Sequence, residues 1–248
     1  MSFLLVAEGI LGSIAGYAYH SLNQGRLTDA QTKLIKENSD SSNRIQSIFE
    51  LVLKDMGLND NCKIKLFITN GNTPPCSFGN FLSKERGLIV SRGLCDQRDN
   101  EIIAFIFKHE IAHIQKNHLL KIPGYSFLAG SIPLVASYVY SINPVISVAI
   151  SALSTLATIF LYTRSSESEA NAVAAQYSSK KEIQSCIDEF EKMRKTVKSS
   201  REYYKERNDW HYHLYSEEGN ILMDFLHPPV STEQALLEKT LRERSCDN

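Results

Sequence analysis

Residues 109–113 read His-Glu-Ile-Ala-His, and the rest of the chain is organised around them. The two histidines are four apart, so on a helix they lie one turn apart on the same face. Each can offer a ring nitrogen to one zinc ion. Glu110 stands beside them, close enough to handle the proton of a metal-bound water. The pattern H-E-x-x-H carries this meaning only on a helix. Its surroundings supply one. Ile102, Ile103, Phe105, Ile106, Ile111 and Ile114 provide apolar faces on either side, and neither Pro nor Gly occurs from Asp99 to Leu120. A helix with two incidental histidines would look the same over these five positions, so the chain must also provide a further ligand.

The 248 residues suffice for one large domain, or for one domain plus a membrane element. Lys+Arg 27 against Asp+Glu 28 leaves no basic surplus, which argues against a nucleic-acid partner. Cys62, Cys76, Cys95, Cys186 and Cys246 are scattered and form no C-x-x-C pair. That pattern points to reduced thiols, not to a disulfide framework or a cysteine zinc site.

Upstream of the motif, Ile45, Ile48, Phe49, Val52, Leu53 and Met56 recur at helical spacing, and Gly57 ends that helix. Lys63 to Thr69 alternates like a half-buried strand, Asn70-Gly71 and Pro74-Pro75 mark a turn and a loop, and Gly87 to Ser91 is a second short strand. A small sheet is therefore expected before the His109 helix. Its edge would either hold an extended substrate by main-chain hydrogen bonds or be a plain structural hairpin. Phe3 to Tyr19 is apolar except for Glu8. Residues 1–24 are expected to form an apolar helix that anchors the chain in a membrane. A buried or surface amphipathic helix is the other reading, and a signal peptide is disfavoured by the lack of positive charge at the start. Gly25 to Asn43 is a polar linker or loose helix.

Downstream, no charged residue occurs between Lys121 and Arg164. Residues 122–163 suit two short helices turning at Asn143-Pro144. The interrupting serines and threonines are tolerated in membrane helices, because they bond back to the preceding turn. Lys116, Lys121 and Arg164 flank the run, which places both ends in the cytoplasm. A buried hairpin in a soluble protein is the competing reading. Beyond it, Glu167 to Ala175 and the charged stretch Lys181 to Arg201 read as helices. Asn208 to Glu218 is aromatic-rich and shows no regular period. Ser231 to Arg244 is a last helix, with Ser231 and Gln234 fitting a capping box.

A catalytic zinc needs a third protein ligand and an open position. Glu167, Glu169, His118, His211, His213 and His227 are the candidates. His118 is five residues past His113, on a different helix face, and reads as a surface residue or one that supports a ligand. The ordered set His109-Glu-Ile-Ala-His113, His118, Arg164-x-x-Glu167-x-x-Ala170-Asn171 and His227-Pro-Pro resembles the M48 family of gluzincin metallopeptidases, which includes the membrane heat-shock protease HtpX and a CAAX-prenyl protease. Gly87 to Leu94 also resembles the family's segment before the zinc helix. The resemblance covers about residues 45–120 and 164–241, and the apolar pair between the motifs fits the HtpX-like arrangement best.

The resemblance implies a mainly α fold with a small β-sheet (α+β). It would be a zincin-like peptidase domain carrying an inserted apolar hairpin. Residues 42–121 would be the first half of that domain, 122–163 the membrane insertion and 164–248 the second half. It implies one Zn2+ per chain held by His109, His113 and Glu167. Glu110 would be the general base for a zinc-bound water, and His227 would stabilise the transition state. The expected partners are a protein or peptide substrate and a lipid bilayer, with the peptidase domain on the cytoplasmic side. The three ligands can share one ion only if the apolar run crosses the membrane twice or not at all, and its length agrees with two crossings. Two departures stand out. Asn171 replaces the family aspartate thought to orient a ligand histidine, and Glu233 and Gln234 stand where a family arginine is expected. On that basis Asn171→Asp is expected to raise activity in a weakened enzyme. A zinc-binding but proteolytically weak or inactive membrane scaffold is the alternative, and a metal-free membrane interaction protein is a more distant one.

Overall fold

Helical recurrence of Ile45, Phe49 and Val52 gives the first helix among the described residues of the computed structural model, α1 (Asp40–Asp55), and these side chains are buried. The structure describes residues 40–58, 64–69, 74–79, 86–224 and 227–246. The apolar segment expected over residues 1–24 and the turn expected at Asn70-Gly71 lie outside them. Gly57 follows α1 at φ 66, a left-handed position that favours glycine.

The sheet contains β1 (Ile64–Thr69), β2 (Cys76–Phe78) and β3 (Arg86–Ser91) in the order β1-β3-β2. β1 and β3 run parallel, with Leu66 opposite Leu88, whereas β2 pairs antiparallel with β3, with Ser77 opposite Leu88. The sequence predicts two strands, with a loop at Pro74-Pro75, and β2 is a third strand directly after that loop. A three-residue strand is too short to display a period of two, so β2 carried no pattern. Gly87 is required in the central strand. A Cβ there would lie 2.6 Å from the Lys65 carbonyl oxygen and 2.8 Å from the rings of Phe67 and Phe78. Backbone cannot yield as a side chain can. Gly87→Ala is therefore expected to cost about 1–3 kcal/mol, as overpacking does, seen as a lowered unfolding midpoint at unchanged helix content.

A short helix α2 (Arg92–Asp96), capped by Ser91, leads into α3 (Asn100–Gln115), which carries the motif. α3 sits between two apolar clusters. Ile103, Phe107 and Ile111 pack with α1 and with Leu88 and Val90 of β3. Phe105 on the other side packs with Ala174, Ile183, Ile187 and Leu237 of the later helices. Lys108, one residue before the motif, is fully buried. Its ammonium reaches Glu182 Oε1 at 2.9 Å, the Tyr177 carbonyl at 3.0 Å and Asp55 Oδ2 at 3.1 Å. A buried ammonium demands this complement of acceptors, and meeting it ties three elements to α3.

The chain does not continue as one helix to Leu120. Asn117 takes a left-handed conformation (φ 54) and starts α4 (His118–Tyr140). After a turn at Ser141–Asn143, α5 (Pro144–Tyr177) begins with Asn143 as cap and Pro144 in the first turn. The turn lies where the sequence reading expected it, but the second arm does not stop at Arg164. The second half of the uncharged run and the Glu167 segment are one 34-residue helix. Composition changes at Arg164, and the backbone does not. The arms approach at Gly130, where a Cβ would lie 2.8 Å from Thr155 Oγ1, and Ser151 Oγ donates to the Gly130 carbonyl at 2.6 Å. Both helices are long and apolar enough to cross a membrane, and almost none of their apolar length is buried within the protein.

α6 (Lys180–Glu206) starts with a capping box formed by Ser179 and Glu182. A 3-10 turn (Trp210–Leu214) and a bridge between Tyr215 and Ile221 occupy the stretch without a sequence period. The last helix, α7, spans Val230–Cys246. The capping box expected at Ser231 and Gln234 is absent. The helix already starts at Val230, and Ser231 instead pairs with Asn220, whose Oδ1 accepts from Ser231 N at 3.0 Å and whose Nδ2 donates to Ser231 Oγ at 2.9 Å.

Candidate active site

His109 and His113 project from one face of α3, one turn apart, and Glu167 meets them from α5 one turn beyond Arg164. His109 Nε2 is 3.1 Å from His113 Nε2 and 3.2 Å from Glu167 Oε2, and His113 Nε2 is 3.4 Å from Glu167 Oε1. One donor atom from each of the three residues lies within 4.8 Å of the other two, and the carboxylate faces one histidine with each oxygen. Two donors each ~2.0–2.1 Å from a tetrahedral zinc stand about 3.3 Å apart, so the observed separations fit such an ion. The donor chemistry fits too: two imidazoles, one carboxylate and an open side.

The remaining ring nitrogens fix the tautomers. His109 Nδ1 lies 2.8 Å from Asn171 Oδ1, and Asn171 Nδ2 donates to Glu233 Oε2 at 2.6 Å. A carboxylate accepts and does not donate, so Glu233 sets the amide with its oxygen towards His109. His109 then carries its proton on Nδ1 and presents a lone pair at Nε2. Ser168 Oγ donates to the other Glu233 oxygen at 2.6 Å. On the opposite side, His113 Nδ1 lies 2.8 Å from His118 Nδ1, and His118 Nε2 lies 3.2 Å from Glu169 Oε2. If His118 donates through Nε2 to Glu169, its Nδ1 accepts from His113, and the His113 Nε2 lone pair also faces the centre. His118 is buried, and burial lowers its pKa, consistent with a neutral ring in that chain. It is no surface histidine.

Electrostatics reflect how closely the carboxylate and the two rings converge. Burial alone would raise the Glu167 carboxyl, but hydrogen bonds and charge from His109 and His113 outweigh it and hold Glu167 well below the usual carboxylate range. Burial alone would lower His109, and the Glu167 contact with the Glu110 charge leaves it raised.

A cleft of about 510 Å3 opens over these groups, with His109, Glu110, Glu167, Asp224 and His227 on its wall. Pro74 and Pro75, just before β2, form one side. His227 is exposed, and its Nδ1 lies 2.9 Å from Asp224 Oδ2. His211 bonds Asp209 instead, in the 3-10 turn. Cys186 is the thiol on the cleft wall, and Cys76 lies in β2 beside it. Burial, then the Glu110 charge, raises Cys76, and burial first pushes Cys186 up to about 12.

The model of peptidase family M48 matches residues 40–231. The chain belongs to that family. No curated protein and no solved structure matches it. M48 peptidases are metal-dependent hydrolases of peptide bonds, and in this M48 chain His109, His113 and Glu167 are the group able to hold a metal among the described residues. Sequence reasoning missed two supporting pairs of this M48 site: Glu233 behind Asn171, and Glu169, a candidate ligand by sequence, behind His118. Each acts across more than fifty residues of chain, and a spacing rule has no access to such pairs.

Proposed function

We propose that the chain is a membrane-embedded zinc endopeptidase whose two half-domains, residues 42–121 and 164–248, share one site on the cytoplasmic side of a bilayer crossed twice by residues 122–163. The observation that carries this reading is the convergence of His109 Nε2, His113 Nε2 and the Glu167 carboxylate, with pairwise contacts of 3.1–3.4 Å, at an open cleft whose wall includes His109, Glu110 and Glu167. His109, His113 and Glu167 hold one Zn2+, which when bound supplies Lewis-acid chemistry and lowers the pKa of water towards ~7. Glu110 takes the proton of the attacking water and passes it to the departing amine. Asp224 fixes the His227 ring through Nδ1, which leaves Nε2 for the oxyanion of the tetrahedral intermediate. The β2 edge beside the cleft takes an extended substrate by main-chain hydrogen bonds.

Lys116, Lys121 and Arg164 at the foot of the hairpin support the cytoplasmic assignment. A test is to purify the full chain in detergent, measure zinc per chain and follow cleavage of unfolded casein before and after chelation. About one zinc per chain is expected, with cleavage lost on chelation and restored by zinc. Zinc without cleavage would favour the inactive-scaffold reading, and a folded sample without zinc would overturn the metal site.

A further inference from the structure

Ile221, Leu222 and Met223 are three consecutive apolar side chains held in the open, 48%, 52% and 58% exposed. Their backbone is ordered by the fold: Tyr215 bridges Ile221, the Leu222 N–H donates to the Leu214 carbonyl at 2.8 Å, and the Asp224 N–H donates to the Ile221 carbonyl at 3.3 Å. A fixed turn that holds three large apolar groups outward marks a contact surface.

Its position says what covers it. The Asp224 carbonyl, next in sequence, accepts from Arg164 Nη2 at 2.8 Å. Arg164 is the first charge after the uncharged run of α5. From Pro144 to Thr163 that helix rises about 30 Å at ~1.5 Å per residue, which is the thickness of a bilayer's hydrocarbon core. Arg164 therefore stands at headgroup level if the run crosses, and the turn tied to it stands at the same level. At that depth an apolar triad gains by leaving water, while Asp224 and His227 beside it remain in it.

We propose that Ile221, Leu222 and Met223 form a turn that dips into the acyl–headgroup boundary of the bilayer. This rests on the reading that α4 and α5 span that bilayer. The partner is the lipid surface itself, recognised by apolar insertion. One consequence concerns the cleft. Asp224 and His227 are cleft wall, and Glu167 lies about 4.5 Å beyond Arg164 along α5 at ~1.5 Å per residue. One lip of the cleft thus lies at the membrane surface.

The chain has one tryptophan, Trp210, which makes the test direct. In a Trp210→Phe background, Leu222→Trp places a probe in the turn, and Leu156→Trp, at a position 50% exposed, places one midway along the α5 arm. Both replace exposed side chains. Each full-length variant is reconstituted in phosphatidylcholine vesicles with lipids brominated near the headgroup end or near the middle of the acyl chains. Leu222→Trp is expected to emit at shorter wavelength and to lose most of its emission to the shallow bromines, and Leu156→Trp to the deep ones. If Leu156→Trp is quenched while Leu222→Trp emits as in water, the bilayer crossing stands and the turn faces water or another protein, which overturns the proposal. If neither is quenched, the crossing itself fails and the proposal falls with it.

Discussion

Glu110→Gln is expected to keep the metal and to lower kcat/KM by about 10²–10⁴-fold, the usual worth of a positioned general base. The substitution conserves shape and removes only basicity. Glu110 shares the cleft wall with His109 and Glu167, yet it is not among the three converging donors. Zinc per chain should therefore match the parent. His113→Ala makes the contrast, because it removes a donor that lies 3.1 Å from His109 Nε2 and 3.4 Å from Glu167 Oε1. That variant should lose metal and activity together. Metal analysis beside casein cleavage separates the two behaviours. A Glu110→Gln protein with parental turnover would remove Glu110 from the mechanism. One that lost zinc would show that its role is in holding the ion.

The parts of this site that were legible in the sequence are local. His109 and His113 are four apart on α3, and their common face follows from helix geometry alone. Glu167 was legible by resemblance, and so was the need for the apolar run to bring it back to the same side. The turn at Asn143-Pro144 was legible because Pro suits a first helical position. Other features are properties of the folded chain. Asn117 breaks the motif helix through its left-handed backbone, although no Gly or Pro announces the break. β2 becomes a strand only because β3 lies beside it. Ser231 has the side chain of a cap and is used as a partner for Asn220. Glu233 looked like a missing arginine, whereas in the fold it completes a hydrogen-bond chain to His109.

That last residue reverses an expectation drawn from sequence. Restoring the family aspartate by Asn171→Asp was expected to raise activity. The structure predicts loss: the single substitution should weaken zinc binding by about 10–100-fold, the usual effect of disturbing a ligand's hydrogen-bond partner. Asn171 Nδ2 donates to Glu233 Oε2 at 2.6 Å, and both side chains are buried. Aspartate would place an oxygen against that carboxylate, and two carboxylates so close cannot both ionise. Either a proton is taken up or the pair separates and His109 loses its orienting acceptor. The double variant Asn171→Asp with Glu233→Gln should behave differently. The glutamine amide can donate to the new carboxylate, which then accepts directly from His109 Nδ1–H and makes its Nε2 a stronger donor. Zinc affinity in the double variant should return to at least the parental value. The interaction between the two substitutions should therefore be large and opposite in sign to the single effect. Chelator competition for zinc, with cleavage measured alongside, completes the cycle. Were Asn171→Asp alone to tighten zinc, Glu233 would have no part in orienting Asn171. The outcome also bears on the metal-free alternative. Asn171 Oδ1 faces His109 Nδ1 at 2.8 Å, and zinc affinity that responds to the partner of that nitrogen is a property of a metal site, whether or not the chain cleaves peptides.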